Sequence, residues 1–134
     1  DGPDGADATA AAARYATQLA AAAPAGQPLP HFDVLMLGVG EDGHVASIFP
    51  GHPSYDETGV TAAVHDSPKP PPIRITLTLP TIRTAEEVWL IAAGPDKTDS
   101  VAAALDGAKL PAAAATGTAR TVWLLDAEAA AKLS

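Results

Sequence analysis

Asp42 and His44 stand two residues apart in the run Leu37-Gly38-Val39-Gly40-Glu41-Asp42-Gly43-His44. An imidazole ordinarily titrates near neutrality, which suits it to give and take protons at a reacting centre. A carboxylate beside it fixes which ring nitrogen carries the proton. Gly38, Gly40 and Gly43 are interleaved with the pair. Glycine enters left-handed backbone freely and leaves no side chain in the way. Such a loop turns both functional side chains towards one point and lets its N–H groups approach a ligand closely. The pattern is neither GxGxxG nor a phosphate loop ending in Lys-Ser/Thr, so no nucleotide fingerprint is present. A metal centre is weakly supported. Asp42 and His44 supply two ligands where a hydrolytic zinc site uses three, and His52 and His65 have no partners at metal spacing. Ser47 lies in no Gly-x-Ser-x-Gly elbow and reads as a helix residue near the site, not a nucleophile.

A loop of this kind needs rigid elements to hold it. Val34 to Leu37 is an apolar run of strand length, and the glycines after it argue for a buried strand. In open α/β sheets ligands bind at the carboxyl ends of strands, where this loop falls. Val45 to Phe49 predicts a short helix, broken by Pro50-Gly51-His52-Pro53. Upstream, Asp7 to Ala23 is rich in alanine, with Asp7 or Thr9 as cap and Pro24 and Gly26 as stop. Its thin apolar stripe, with Tyr15 and Leu19 at i, i+4, predicts a helix covering a sheet edge. The opening DGPDGADA is polar and turn-like, and Gln27 to Pro30 is a linker.

Downstream, Val60 to His65 predicts a strand, and Asp66 to Pro72 is an extended lead with four prolines. Ile73 to Leu79 alternates strictly, with Ile73, Ile75, Leu77 and Leu79 on one face and Arg74, Thr76 and Thr78 on the other. Pro80 to Ala85 is a turn or short helix, and Val88 to Ala92 a second buried strand ending near Gly94. Pro95 suits the first turn of a helix running to about Leu105, with Gly107 past its end. Arg120 to Leu125 is the last strand, and Asp126 the cap of a closing helix. Helices alternating with short strands make an α/β domain with a mostly parallel sheet.

The chain has 134 residues, enough for one domain with a core, and a formal charge of −8. Its eight Lys and Arg are scattered, so no basic patch invites nucleic acid. There is no cysteine, which excludes a disulfide scaffold and a thiolate metal site and agrees with a reducing cytosol. No apolar run approaches a membrane span, and no signal peptide is visible. Two cations are well placed for an anion. Arg74 carries a rigid fork of donors, and Lys97 falls in a helix's first turn, where amide N–H groups are free.

The stretches LGVGEDGHVASIFPG and KPPPIRITLTLPTIRTAEEVWLIAAGPDKTDSVAAAL resemble the signatures of the 6-phosphogluconolactonases, in that family's order and spacing. The resemblance implies a Rossmann-like fold with flanking helices, shared with the glucosamine-6-phosphate deaminases and ribose-5-phosphate isomerase. It implies hydrolysis of 6-phosphogluconolactone, a small sugar-phosphate lactone of the oxidative pentose phosphate pathway, in the cytoplasm and without a cofactor. His44 takes the part of general base in that comparison, and the family places anion-binding residues where Arg74 and Lys97 stand. The related deaminases carry a Glu five residues after the His, where this chain has Phe49, which favours the lactonase. An isomerase or deaminase on the same fold, or a non-catalytic sugar-phosphate binding module, are the alternatives. Family members are longer, with a glycine-rich turn and an Asp-Glu-Arg-type loop in a first half that has no counterpart here. Residues 1–134 are therefore expected to be the C-terminal part of a single domain.

Overall fold

The computed structural model describes residues 7–133, so most of the turn-like opening read from the sequence, residues 1–6, lies outside the described residues. Helix α1 (Ala8–Ala21) starts where Asp7 accepts a hydrogen bond from the Ala10 amide at 2.9 Å. It buries Ala8, Ala11 and Ala12, a stripe of methyls at helical spacing, while Tyr15 and Leu19 remain half-buried. Small side chains let the helix lie close to its neighbour. That neighbour is an antiparallel hairpin of β2 (Thr61–Val64) and β3 (Arg74–Leu77), and the Thr61 hydroxyl donates to the Ala12 carbonyl at 2.6 Å.

The second sheet is parallel throughout, in the order β1-β4-β5: β1 (Val34–Gly38), β4 (Glu87–Ala92) and β5 (Arg120–Leu125). Between them run α2 (Leu79–Ile82), α3 (Thr98–Leu105) and α4 (Pro111–Ala114). Leu35, Leu37, Val88 and Leu90 point to one side of the sheet and pack with Ile82, Val101, Val45 and Ile48 into the core. The α/β class with a parallel sheet is as the sequence predicts. Among the described residues no helix is long and apolar enough to cross a membrane.

Four local expectations need correction. Val34 to Leu37 is not buried throughout: Leu35 and Leu37 are in the core, but Met36 is 63% exposed and Val34 41%. β1 is an edge strand, and the sheet's second face is partly open: in the register row Met36, Trp89 and Val122, Met36 is exposed and the other two are half-buried. Val45 to Phe49 is not a helix. Ala46 adopts a left-handed φ of 48°, Val45 bridges both Val39 and Ile48, and Val45, Ile48 and Phe49 all turn fully inward. Along β3 the polar face is the buried one, with Thr76 at 3% and Thr78 at 0% exposure, and Leu79 opens α2 instead of ending the strand. The threonine hydroxyls make this burial affordable: Thr76 Oγ1 accepts from the Ser47 amide and Thr78 Oγ1 donates to the Gly59 carbonyl. Finally, residues after Asp126 form successive turns, not a helix, although Asp126 does accept from the Ala129 amide at 2.8 Å.

Candidate active site

β1 delivers the chain at Gly38 to a tight loop closed on itself. The Gly40 amide donates to the His44 carbonyl at 2.9 Å, and the Gly43 amide donates back to the Gly40 carbonyl at 3.0 Å. Of the three glycines, Gly43 alone is left-handed, at φ 86°. A Cβ there would also stand 2.9 Å from Leu110 Cδ1. Gly38 ends β1 opposite Ile91 and needs no special conformation. The amides of Gly40 and Gly43 are therefore spent inside the loop, contrary to the expectation that they face a ligand.

The loop brings Asp42 and His44 together as the sequence predicts. His44 Nδ1 lies 2.6 Å from Asp42 Oδ1, and the same oxygen accepts from the His44 amide at 3.1 Å. Burial disfavours the charged carboxylate. The hydrogen bonds from the His44 ring and amide, with the attraction of the imidazole's charge, outweigh it and hold the Asp42 carboxyl below its ordinary value of 3.8. A carboxylate that accepts at Nδ1 makes that nitrogen the protonated one, so the lone pair of the neutral ring is on Nε2. Among the described residues nothing hydrogen-bonds Nε2.

Two cations flank the segment from Val39 to Phe49. At its near end the Lys97 ammonium donates to the Val39 carbonyl at 2.9 Å, leaving its other N–H groups for a ligand. Lys97 closes the 3-10 turn Pro95–Lys97 that leads into α3. At the far end the Arg74 guanidinium lies 5.4 Å above the Phe49 ring. Its Nε donates to the Pro71 carbonyl, and Nη2 to those of Lys69 and Pro70, so the fork clasps the proline-rich lead. The Phe49 ring in turn lies 4.8 Å from His44, tilted by 36°.

Several participants carry no catalytic signature in the sequence. Ser100, buried in the first turn of α3, places its hydroxyl 3.1 Å from the Gly40 carbonyl. His52 is structural, as read from the sequence: Nε2 donates to the His65 carbonyl at 2.9 Å and Nδ1 meets Ser54 Oγ at 2.8 Å. Ser54 Oγ then accepts from the Phe49 amide at 3.1 Å. Ser47 is buried, its amide held by Thr76, but it is not helical. The start of α3 is laced to the residues after β5. Asp126 accepts from the Gly94 amide, Thr98 Oγ1 donates to the Glu128 carbonyl at 2.8 Å, and Lys132 pairs with Asp99.

A sequence profile described as glucosamine-6-phosphate isomerases/6-phosphogluconolactonase matches residues 2–123. The chain is 60% identical over 139 residues to the 6-phosphogluconolactonase of Streptomyces coelicolor, covering 99% of this chain and 53% of that protein. It is 54% identical over 137 residues to that of Mycobacterium tuberculosis, covering 99% of this chain and 56% of the relative. Among solved structures, the 6-phosphogluconolactonase of Trypanosoma brucei superposes with a TM-score of 0.79 at 36% identity, over 98% of this chain and 56% of that one. The chain spans about half the length of the curated relatives it matches.

Proposed function

We propose, from the premise that this chain belongs to the glucosamine-6-phosphate isomerase/6-phosphogluconolactonase family, that it carries the acid–base centre of a 6-phosphogluconolactone hydrolase. The observation that supports this reading most is the Asp42–His44 pair at 2.6 Å, with Nε2 taking part in no hydrogen bond among the described residues. Asp42 keeps the proton of the neutral ring on Nδ1, so Nε2 takes a proton from water as the water oxygen bonds to the lactone carbonyl carbon. The tetrahedral oxyanion then re-forms its carbonyl, the ring C–O bond breaks, and the leaving alkoxide takes the proton back from the imidazolium. No cofactor takes part. Arg74 and Lys97 are the proposed phosphate contacts: Nη1 of Arg74 is outside the carbonyl clasp, and Lys97 keeps two donors. In a chain of net charge −8 such cations make a local attractive point for an anion.

Residues 1–134 are, on the same reading, the C-terminal part of one larger domain of a cytoplasmic enzyme. The apolar side chains left exposed on one face of the parallel sheet support this, because sheets of that kind ordinarily carry helices on both faces. The test is turnover by the full-length protein. It should hydrolyse 6-phosphogluconolactone above the spontaneous rate and leave glucosamine-6-phosphate unchanged. Deamination without lactone hydrolysis would transfer the pair to the alternative chemistry of the family.

A further inference from the structure

Gly40 does not need to be glycine for its backbone, since its φ is outside the left-handed region. Its surroundings give another reason. A Cβ on residue 40 would overlap Nδ1 and Cε1 of His44 and stand 3.0 Å from Asp42 Oδ1. The imidazole occupies the volume that any side chain at this position would fill.

Such a clash is relieved by whichever partner moves more easily, and the backbone of Gly40 is pinned on every side. Its amide donates to the His44 carbonyl at 2.9 Å, and its carbonyl accepts from the Gly43 amide at 3.0 Å. The Ser100 hydroxyl lies 3.1 Å from that same carbonyl, and the preceding one, Val39, accepts from Lys97 at 2.9 Å. The ring is the free end of a side chain and gives way first. On its other contact it meets Phe49, which is wholly buried and cannot swing out.

We infer that Gly40 is a positioning residue: its missing side chain is the seat of the His44 imidazole, and Ser100 holds that seat against the start of α3. The inference rests on the proposed hydrolysis for its kinetic consequence, but not for its structural one. An imidazole displaced from its seat loses Asp42 as a partner, and with it the fixed tautomer. Misplacement of a reacting group by about 1 Å costs on the order of 10²-fold in rate.

The test uses the full-length protein labelled with ¹⁵N in its histidine rings, with His44 assigned by comparison to His44→Gln. With the ring neutral, the wild type should show His44 protonated at Nδ1, with a strongly deshielded proton, and bare at Nε2. Gly40→Ala should lose that signature and mix the tautomers, while kcat for the lactone falls on the order of 10²-fold at nearly constant KM. Ser100→Ala, which preserves the shape of the core, should show a smaller change in the same direction. A folded Gly40→Ala protein with the wild-type ring spectrum would overturn the inference. If that variant does not fold, an unchanged His44 spectrum in Ser100→Ala would overturn it instead. Altered spectra in a protein whose wild type shows no lactone turnover would uphold the seat and remove the proposed hydrolysis.

Discussion

The loop around His44 and the outer face of the parallel sheet are built from the same strand and differ in almost every physical respect. From Gly38 to Phe49 the backbone groups considered above are answered from within the chain, down to a hydroxyl of α3 for the Gly40 carbonyl, and His44 Nε2 is left without a partner among the described residues. The outer sheet face leaves apolar surface open, with Met36 63%, Leu124 43% and Ile91 40% exposed. The contrast teaches that the Asp42–His44 pairing is formed entirely within this chain, while the sheet leaves apolar side chains exposed.

The sharpest way to break that comparison is at His44. Replacing it with Gln in the full-length protein should cut lactone hydrolysis by about 10²–10⁴-fold, with substrate binding little changed. Near wild-type turnover would leave the self-contained loop without a chemical role. Met36→Ala probes the other region. If the sheet face is covered in the full-length protein, the substitution should cost about 2–5 kcal/mol in denaturant unfolding. A change within about 0.5 kcal/mol would mean that the face stays open to water.

The flanking cations come next in size. Arg74→Met or Lys97→Met should weaken binding of the phosphorylated lactone by about 1.5–3 kcal/mol, the worth of a hydrogen bond to a charged group. Binding of the unphosphorylated lactone should change much less. Equal losses on both would assign Arg74 to its clasp of the Lys69–Pro71 carbonyls and Lys97 to its hold on Val39.

The smallest effect is electrostatic. Asp42 has a folded-state pKa below its ordinary value of 3.8. The stability it contributes is present above that value and is lost as pH falls through the lower, folded one. Acid titration of stability should therefore be shallower below about pH 4 in Asp42→Asn than in the wild type. Superimposable acid limbs would show that the hydrogen bonds to Asp42 do not favour its charged form.

The parts legible from sequence were those fixed locally. The Asp-Gly-His spacing gave the pair, Asp7 the cap of α1, and the apolar runs gave β4 and β5. What failed depended on distant partners. The alternation of β3 marked two faces correctly but not which one is buried, because that depends on hydroxyls finding the Ser47 amide and the Gly59 carbonyl. Val45 to Phe49 looked helical from composition. Its three fully buried side chains do stand at the helical spacing i, i+3, i+4, but Ala46 is left-handed and Val45 bridges Val39 and Ile48, so the backbone takes another path. Ser100 was invisible, since its function is a contact across 60 residues of sequence.

The lacing of residues 126–132 to the start of α3 has a consequence for the order in which the protein is made. Every residue of that lace follows, along the chain, the turn it secures: Asp126 reaches back to Gly94, Glu128 to Thr98 and Lys132 to Asp99. On a ribosome β1, its loop and β4 are all available before those contacts exist. The Asp42–His44 loop and the start of α3 are therefore made before the stretch that laces α3 in place has emerged.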